Sequence, residues 1–259
     1  MKILSILMLT CLFIDTIARD ELPDLVTDRP DQTESSTVVP LHSLQIETGF
    51  VMENAETARE KIKSYAYNTT LLRYGLLESM ELRLGLEYLN EEIAIKNTDT
   101  VNTFSGTSPL YAGFKIKIAD EAGWMPEIAF LGGLELPFTA AEHFETSSAA
   151  AGMRFSIAHT LSDRFSIGYN LGAEWDGETA APSYYYSLAL GIGITDRLGM
   201  FIENYGLLSE NGGGEHLFDA GITYLVLPNL QFDISGGFGL NDEAIDNFIS
   251  CGLSYRIPR

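Results

Sequence analysis

Ser183 to Gly206 reads SYYYSLALGIGITDRLGMFIENYG: large apolar residues alternate with small or polar ones, the pattern pauses at Thr195-Asp196-Arg197, and alternation resumes. A period of two places successive side chains on opposite faces of an extended strand, so this stretch predicts a hairpin with two different surroundings. The same pattern recurs over residues 45–53, 64–75, 80–89, 109–118, 125–138, 149–160, 165–176, 183–195, 198–208, 217–227, 229–240 and 247–257, which predicts about twelve strands. Each has roughly the length of a tilted membrane-crossing strand, about nine to eleven residues. Helical periodicity is weak past residue 40. The signal is all-β.

The connections alternate in size. Short turns fall at Leu161–Arg164, Thr195–Arg197 and Leu227–Asn229, each with turn-forming Asp, Asn, Ser or Pro. Long polar loops are expected at Glu53–Lys63, Asn90–Ser108, Thr139–Ser148, Gly177–Pro182, Ser209–His216 and Asn241–Asp246. Short and long connections therefore lie at opposite ends of an up-and-down meander.

One face of the ribbon collects residues such as Leu82, Leu84, Leu86, Phe130, Leu171, Ile192, Phe232 and Tyr255, and from the third strand onward it carries no Asp, Glu, Lys or Arg. The opposite face carries Arg73, Glu81, Arg83, Glu87, Lys115, Lys117, Glu127, Glu135, Arg154, Glu174, Glu203, Asp219, Asp233 and Arg256. A soluble sandwich would show the same separation with its apolar face inward. Three features favour lipid instead. Glycines recur inside strands on the polar face, which suits a crowded lumen. Aromatics gather near strand ends, with Tyr88, Phe138, Trp175 and Tyr184 at one end and Tyr74, Trp124, Phe165 and Tyr255 at the other, as in interfacial girdles. The N-terminus also carries an export signal: Lys2 precedes an apolar run from Ile3 to Ile14, with Thr16-Ile17-Ala18 as the best cleavage match. The expectation is a membrane-embedded, antiparallel, up-and-down β-barrel of about twelve strands in the bacterial outer membrane, with both termini periplasmic. Residues 1–18 are read as a signal peptide, 19–40 as a polar N-terminal segment and 41–259 as the barrel.

Charge and cysteine count sharpen this. A formal charge of −20 over 259 residues excludes sequence-independent nucleic-acid binding, which needs a basic face. Once Cys11 leaves with the signal, Cys251 stands alone, so an exported chain has no internal disulfide to hold it.

Several stretches carry a family resemblance: LVTDRPDQTES (Leu25 to Ser35), LLRYGLLESMELRLGLEY (Leu71 to Tyr88), LSDRFSIGYNLG (Leu161 to Gly172), ITDRLGMFIENYG (Ile194 to Gly206) and FDAGITYLVLPNLQFDISGGFGLND (Phe218 to Asp242). With these the chain resembles outer-membrane proteins of the MetA-pathway of phenol degradation family, and the Thr27-Asp28-Arg29-Pro30-Asp31 element is the most specific part. The resemblance implies an outer-membrane barrel and an assumed transport role. Two departures stand out: Ser105-Gly106-Thr107-Ser108-Pro109 replaces an acidic entry to the fourth strand, and the chain ends Tyr255-Arg256-Ile257-Pro258-Arg259 rather than on an aromatic residue.

Catalysis finds little support. The four histidines, His42, His143, His159 and His216, have neither a Ser and an acid at catalytic spacing nor metal-ligand spacing, and Gly191-Ile192-Gly193 meets Asp196 where a dinucleotide fingerprint needs its third glycine. No cofactor, metal or enzymatic activity is expected. The lumenal charges are the best functional candidates, either as a selectivity-setting pathway or as a salt-bridge network that only satisfies buried charge. The leader DELPDLVTDRPDQTESSTVVP could fold into the lumen as a plug, with Arg29 pairing lumenal acids. The reading is a channel for passive passage of small solutes, aromatic compounds among them by resemblance alone. Its partners would be outer-membrane lipids, the solute and the barrel-assembly machinery, with the oligomeric state open. The alternative is a structural or adhesive barrel with a closed lumen and acidic surface loops.

Overall fold

In the computed structural model, residues 23–210 and 213–257 are described. The expected signal peptide, 1–18, lies outside them. The strands are β1 (Leu44–Glu56), β2 (Glu60–Leu77), β3 (Met80–Ile95), β4 (Val101–Thr107), β5 (Leu110–Ala119), β6 (Glu127–Leu136), β7 (Ala150–Ser162), β8 (Phe165–Trp175), β9 (Ser183–Gly193), β10 (Leu198–Ser209), β11 (Gly214–Leu227), β12 (Leu230–Gly239) and β13 (Asn247–Ile257). Neighbours run antiparallel in the order β2-β1-β13-β12-β11-β10-β9-β8-β7-β6-β5-β3, and pairing of β2 with β3 closes the ring. Closure leaves no unpaired backbone edge toward lipid.

The wall holds twelve strands, because β4 and β5 share one track. β5 pairs with Met80–Gly85 of β3 and β4 with Tyr88–Ala94 of the same strand. Between them lies Ser108-Pro109, where proline offers no N–H to a ladder. Two loop expectations are corrected here. Asn90–Ser108 is not a loop but the top of β3 plus β4, and Glu53–Lys63 shrinks to a turn at Thr57–Arg59 between β1 and β2. These strands extend past the apolar band, where their sequence is polar and the alternation of apolar residues fades.

Alternation decides the two faces. Along β3, Leu82, Leu84 and Leu86 are 43%, 41% and 45% exposed, while Glu81 and Arg83 between them are 0% and 4% exposed. A soluble sheet has the opposite arrangement. Leucines outside and charges inside are stable only where hydrocarbon surrounds the wall, since Lys or Arg on that face costs about 2–4 kcal/mol at the midplane. Tyr74, Tyr88, Trp124, Phe138, Phe165, Tyr184 and Tyr255 stand exposed on the outer surface. Trp175 departs from the expected girdle: it is half-buried and lines a cavity of the lumen.

The lumen is not uniformly polar. Leu131, Phe201, Leu217 and Phe248 point inward and are buried.

Candidate lumenal site

Strand register gathers the first group of charges. Arg73 on β2 lies opposite Gln45 of β1 and Arg83 of β3, and Glu81 of β3 lies opposite Lys115 of β5. Like charges directly opposed repel, so Arg73 and Arg83 need acids between them. Glu81 supplies one, at 2.9 Å from Arg73 Nε and 3.1 Å from Arg83 Nη1, and Glu47 another, at 2.8 Å from Arg73 Nη1.

The central carboxylate comes from the N-terminal segment. Asp28 accepts from Arg83 at 2.6 Å, lies 3.1 Å from Arg73 Nη1, and accepts from Lys115 Nζ at 2.9 Å. Burial alone would raise the Asp28 carboxyl, but Arg73, Lys115 and Arg83 outweigh it and hold the group well below its ordinary value. Glu34 of the same segment accepts from Arg83 Nη2 through both oxygens, at 2.9 and 2.8 Å, in the bidentate geometry that suits a guanidinium. Asp28 N and Arg29 N donate to Glu47 Oε2 at 3.0 and 3.1 Å.

Arg29 reaches the other way. Its Nη2 donates to Asp233 Oδ1 at 2.9 Å and to Ser250 Oγ at 3.0 Å, and Nη1 donates to Thr69 Oγ1 at 3.2 Å. The guanidinium fits because two wall positions lack a side chain: a Cβ at Gly49 or Gly252 would stand 2.6 or 2.5 Å from it. Both glycines are there for close approach.

Neutral partners hold the rest. Glu34 N donates to Asn170 Oδ1 at 2.8 Å, Asn170 Nδ2 donates back to Glu34 O at 3.0 Å, and Ser156 Oγ donates to that same carbonyl. Gln32 N donates to Glu203 Oε2 at 2.7 Å, Thr33 Oγ1 donates to Glu203 Oε1, and Thr33 Oγ1 lies 2.7 Å from Ser187 Oγ. Tyr185 OH donates to Gln32 O at 2.8 Å, and Gln231 Nε2 to Thr27 Oγ1 at 2.9 Å. Thr37 Oγ1 donates to Glu127 at 3.0 Å, while Arg256 caps the carbonyls of Pro23 and Asp24. Among the described residues the segment hydrogen-bonds to every track of the wall except β11.

Two cavities flank it. One of about 600 Å³ opens toward the long connections and is lined by Glu87, Tyr111, Glu135, Gly152, Arg154 and Glu174, with Glu34 and Arg83 at its floor. Arg154 lies 3.7 Å from Glu174 and stacks 4.1 Å over the Tyr185 ring. The other, of about 410 Å³, opens toward the short turns and is lined by Leu25, Thr27, Arg29, Pro30, Asp31 and residues of the β7 to β12 wall. No residue lines both.

The candidate residues thus fall into distinct groups. Arg73, Glu81, Arg83 and Lys115 meet Asp28 of the segment, and Asp233 meets Arg29. Glu87, Glu135, Arg154 and Glu174 line the larger cavity, Glu203 grips the segment, and Glu127 and Arg256 hold its two ends. Lys117 is drawn to Asp120 at 2.6 Å beside the turn after β5, away from the others. Asp219 is buried opposite Glu203, with no N–H or hydroxyl donor at either oxygen. Reading the charges of the wall alone misses Thr33 and Glu34 of the segment and the neutral Ser156, Asn170, Tyr185 and Ser187; their signal is the polar density of the leader and the inward parity of each strand. Each histidine has its own neighbour: His42 with Tyr74, His143 with Glu91 and the Phe104 ring, His159 with Tyr169, and His216 with Tyr186. Among the described residues, no three His, Cys, Asp or Glu side chains are grouped to hold a metal ion.

A closed antiparallel ring with an apolar exterior and a charged interior defines an outer-membrane β-barrel. The chain belongs to the family described as "Putative MetA-pathway of phenol degradation", whose model matches residues 27–257. The barrel resembles the crystal structure of the COG4313 outer membrane channel from Pseudomonas putida F1, with TM-score 0.67 and 12% identity over 90% of this chain and 100% of that one. It also resembles the transport unit of the autotransporter AIDA-I from Escherichia coli, with TM-score 0.52 and 9% identity over 84% of this chain and 89% of that one. No curated protein matches it in sequence.

Proposed function

We propose that the protein is an outer-membrane channel for passive passage of small solutes, and that residues 23–40 form a plug across its lumen. The observation that carries this reading is the segment's placement, bound to all but one track of the wall with a separate cavity on either side. A twelve-stranded wall lies between barrels filled by side chains and those that enclose an aqueous channel, so one folded segment is enough to interrupt it. The walls offer a solute hydrogen-bonding and charged groups but no reactive constellation, which fits selection by size and charge. Membership of the phenol-degradation family favours small aromatic compounds as cargo, and Tyr111 and Trp175 at the larger cavity suit them.

Planar-bilayer recording tests this. The full mature chain is expected to give small conductance steps, and deletion of residues 23–40 to raise them several-fold. Unchanged single-channel current after the deletion would remove the plug. Absence of steps from both proteins would favour a closed scaffold, and liposome swelling with phenolic, sugar and amino-acid solutes then tests cargo separately.

A further inference from the structure

Glu203 and Asp219 occupy directly opposed positions on β10 and β11, both facing inward and each 1% exposed. Glu203 is fully engaged with the segment through Gln32 N and Thr33 Oγ1. Asp219 has no such donor: both carboxyl oxygens are buried with no N–H or hydroxyl to accept from, on the strand to which the segment makes no hydrogen bond, and the side chain within hydrogen-bond reach is Glu203 itself. Among the described residues no Lys, Arg or His forms an ion pair with either acid. Apolar rings close the site, since a Cβ at Gly221 would meet the Phe201 ring and one at Gly237 the Phe248 ring.

The charged and titratable groups around the pair offer no relief. From the segment, Asp31 and Asp28 approach, and Asp28 is already held by three cations. From β9 and β10 come Tyr185 and Tyr205, and from β12 Asp233, which Arg29 neutralises. Burial and the Glu203 carboxylate push Asp31 well above the usual carboxylate range. Two opposed carboxylates in an enclosed place cannot both stay ionised at modest cost. The pair needs a cation beside it, and among the described residues no third ligand is grouped with it for a metal ion. A proton remains.

We propose that Glu203 and Asp219 share one proton from solvent, carried on Asp219 and donated to the Glu203 carboxylate, and that this shared proton latches the N-terminal segment at Gln32 and Thr33. With the proton in place, Glu203 keeps its two acceptor bonds to the segment. On its loss in alkali the opposed charges repel and Glu203 is pulled from its place, so the seat of residues 32–33 loosens. The pair titrates as a unit. The latch rests on the plug reading, whereas the shared proton does not.

Infrared spectroscopy of the full mature chain in lipid, from about pH 6 to about pH 10, reads the proton directly. The parent-minus-Asp219→Asn difference spectrum is expected to show a protonated-carboxyl C=O band at neutral pH that is lost as pH rises, with the Asp31 carboxyl common to both proteins. Hydrogen exchange over residues 27–37, corrected for intrinsic rate, is expected to speed up about tenfold across the same titration in the parent and stay flat in the variant. Should Asp219→Asn fail to insert, Asp219→Ser serves, because it also removes the group that carries the proton. A neutral-pH difference spectrum without the band, a difference band that ignores the titration, or exchange that ignores it overturns the proposal. Neither readout requires conduction, so a barrel closed to solutes would still show both.

Discussion

The two sides of the lumen hold the same segment by different physics. On the β1 to β5 side, three buried cations meet the carboxylates of Asp28, Glu34, Glu47 and Glu81, with close and partly bidentate contacts. On the β7 to β11 side, Asn170, Ser156, Ser187 and Tyr185 offer neutral hydrogen bonds, and the acids Glu203 and Asp219 have no cation paired with them among the described residues, Arg154 lying instead beside Glu174. A buried charge is costly unless it is paired, so the first side is an anchor whose parts depend on one another. The second is a set of separable contacts, each worth about 1 kcal/mol. On the plug reading, a segment both seated and releasable is well served by this division.

The largest effect should come from breaking the anchor in the wall. Arg73→Ala leaves Glu47 and Glu81 facing Asp28 with one cation fewer, and should lower stability by about 3–5 kcal/mol, read as a drop in the thermal unfolding temperature of the detergent-solubilised barrel. Asp28→Asn should cost less, about 2 kcal/mol, because three cations then still face three carboxylates and only charge-assisted bonds weaken. Its effect should concentrate in the segment, seen as faster hydrogen exchange over residues 27–37 with the wall unchanged. Acid offers the same perturbation. A carboxyl held below its ordinary value of 3.8 contributes stability above that pH and loses it as pH falls through the depressed value, so the contribution of Asp28 should survive at pH 3.8 and fail only in stronger acid. Gly252→Ala places a methyl 2.5 Å from the Arg29 guanidinium and should cost about 1–3 kcal/mol, again local to the segment. Least of all, Lys61→Ala at the exposed Glu56 pair should change stability by under about 0.5 kcal/mol, within the scatter of a thermal melt.

How much of this is legible in the sequence depends on which physical signal each part leaves. The wall is legible because lipid forbids charge: Leu82, Leu84 and Leu86 separated by Arg83 and Gly85 can be read in only one register. β4 is not, because Asn90–Ser108 extends beyond the apolar band, where Glu91, Glu92, Lys96 and Asp99 have no reason to alternate with apolar residues. The inward parity of Arg73, Lys115 or Glu203 follows from that register, but who pairs with whom does not, since Asp28 reaches Lys115 across 87 positions of sequence. Thr33, Asn170 and Ser187 leave almost no trace, because small polar residues are ordinary on any inward face. Leu131, Phe201 and Phe248 blur the pattern further by lining the lumen with apolar side chains.

The central claim is that solutes pass only when the segment leaves its seat, and a reversible tether tests it most directly. Thr33 Oγ1 and Ser187 Oγ lie 2.7 Å apart, close enough for Thr33→Cys with Ser187→Cys to form a disulfide in a Cys251→Ser background. Single-channel current is expected to fall to its minimum when the pair is oxidised and to recover the parent's open events on reduction. Identical currents in the oxidised and reduced states would contradict the account.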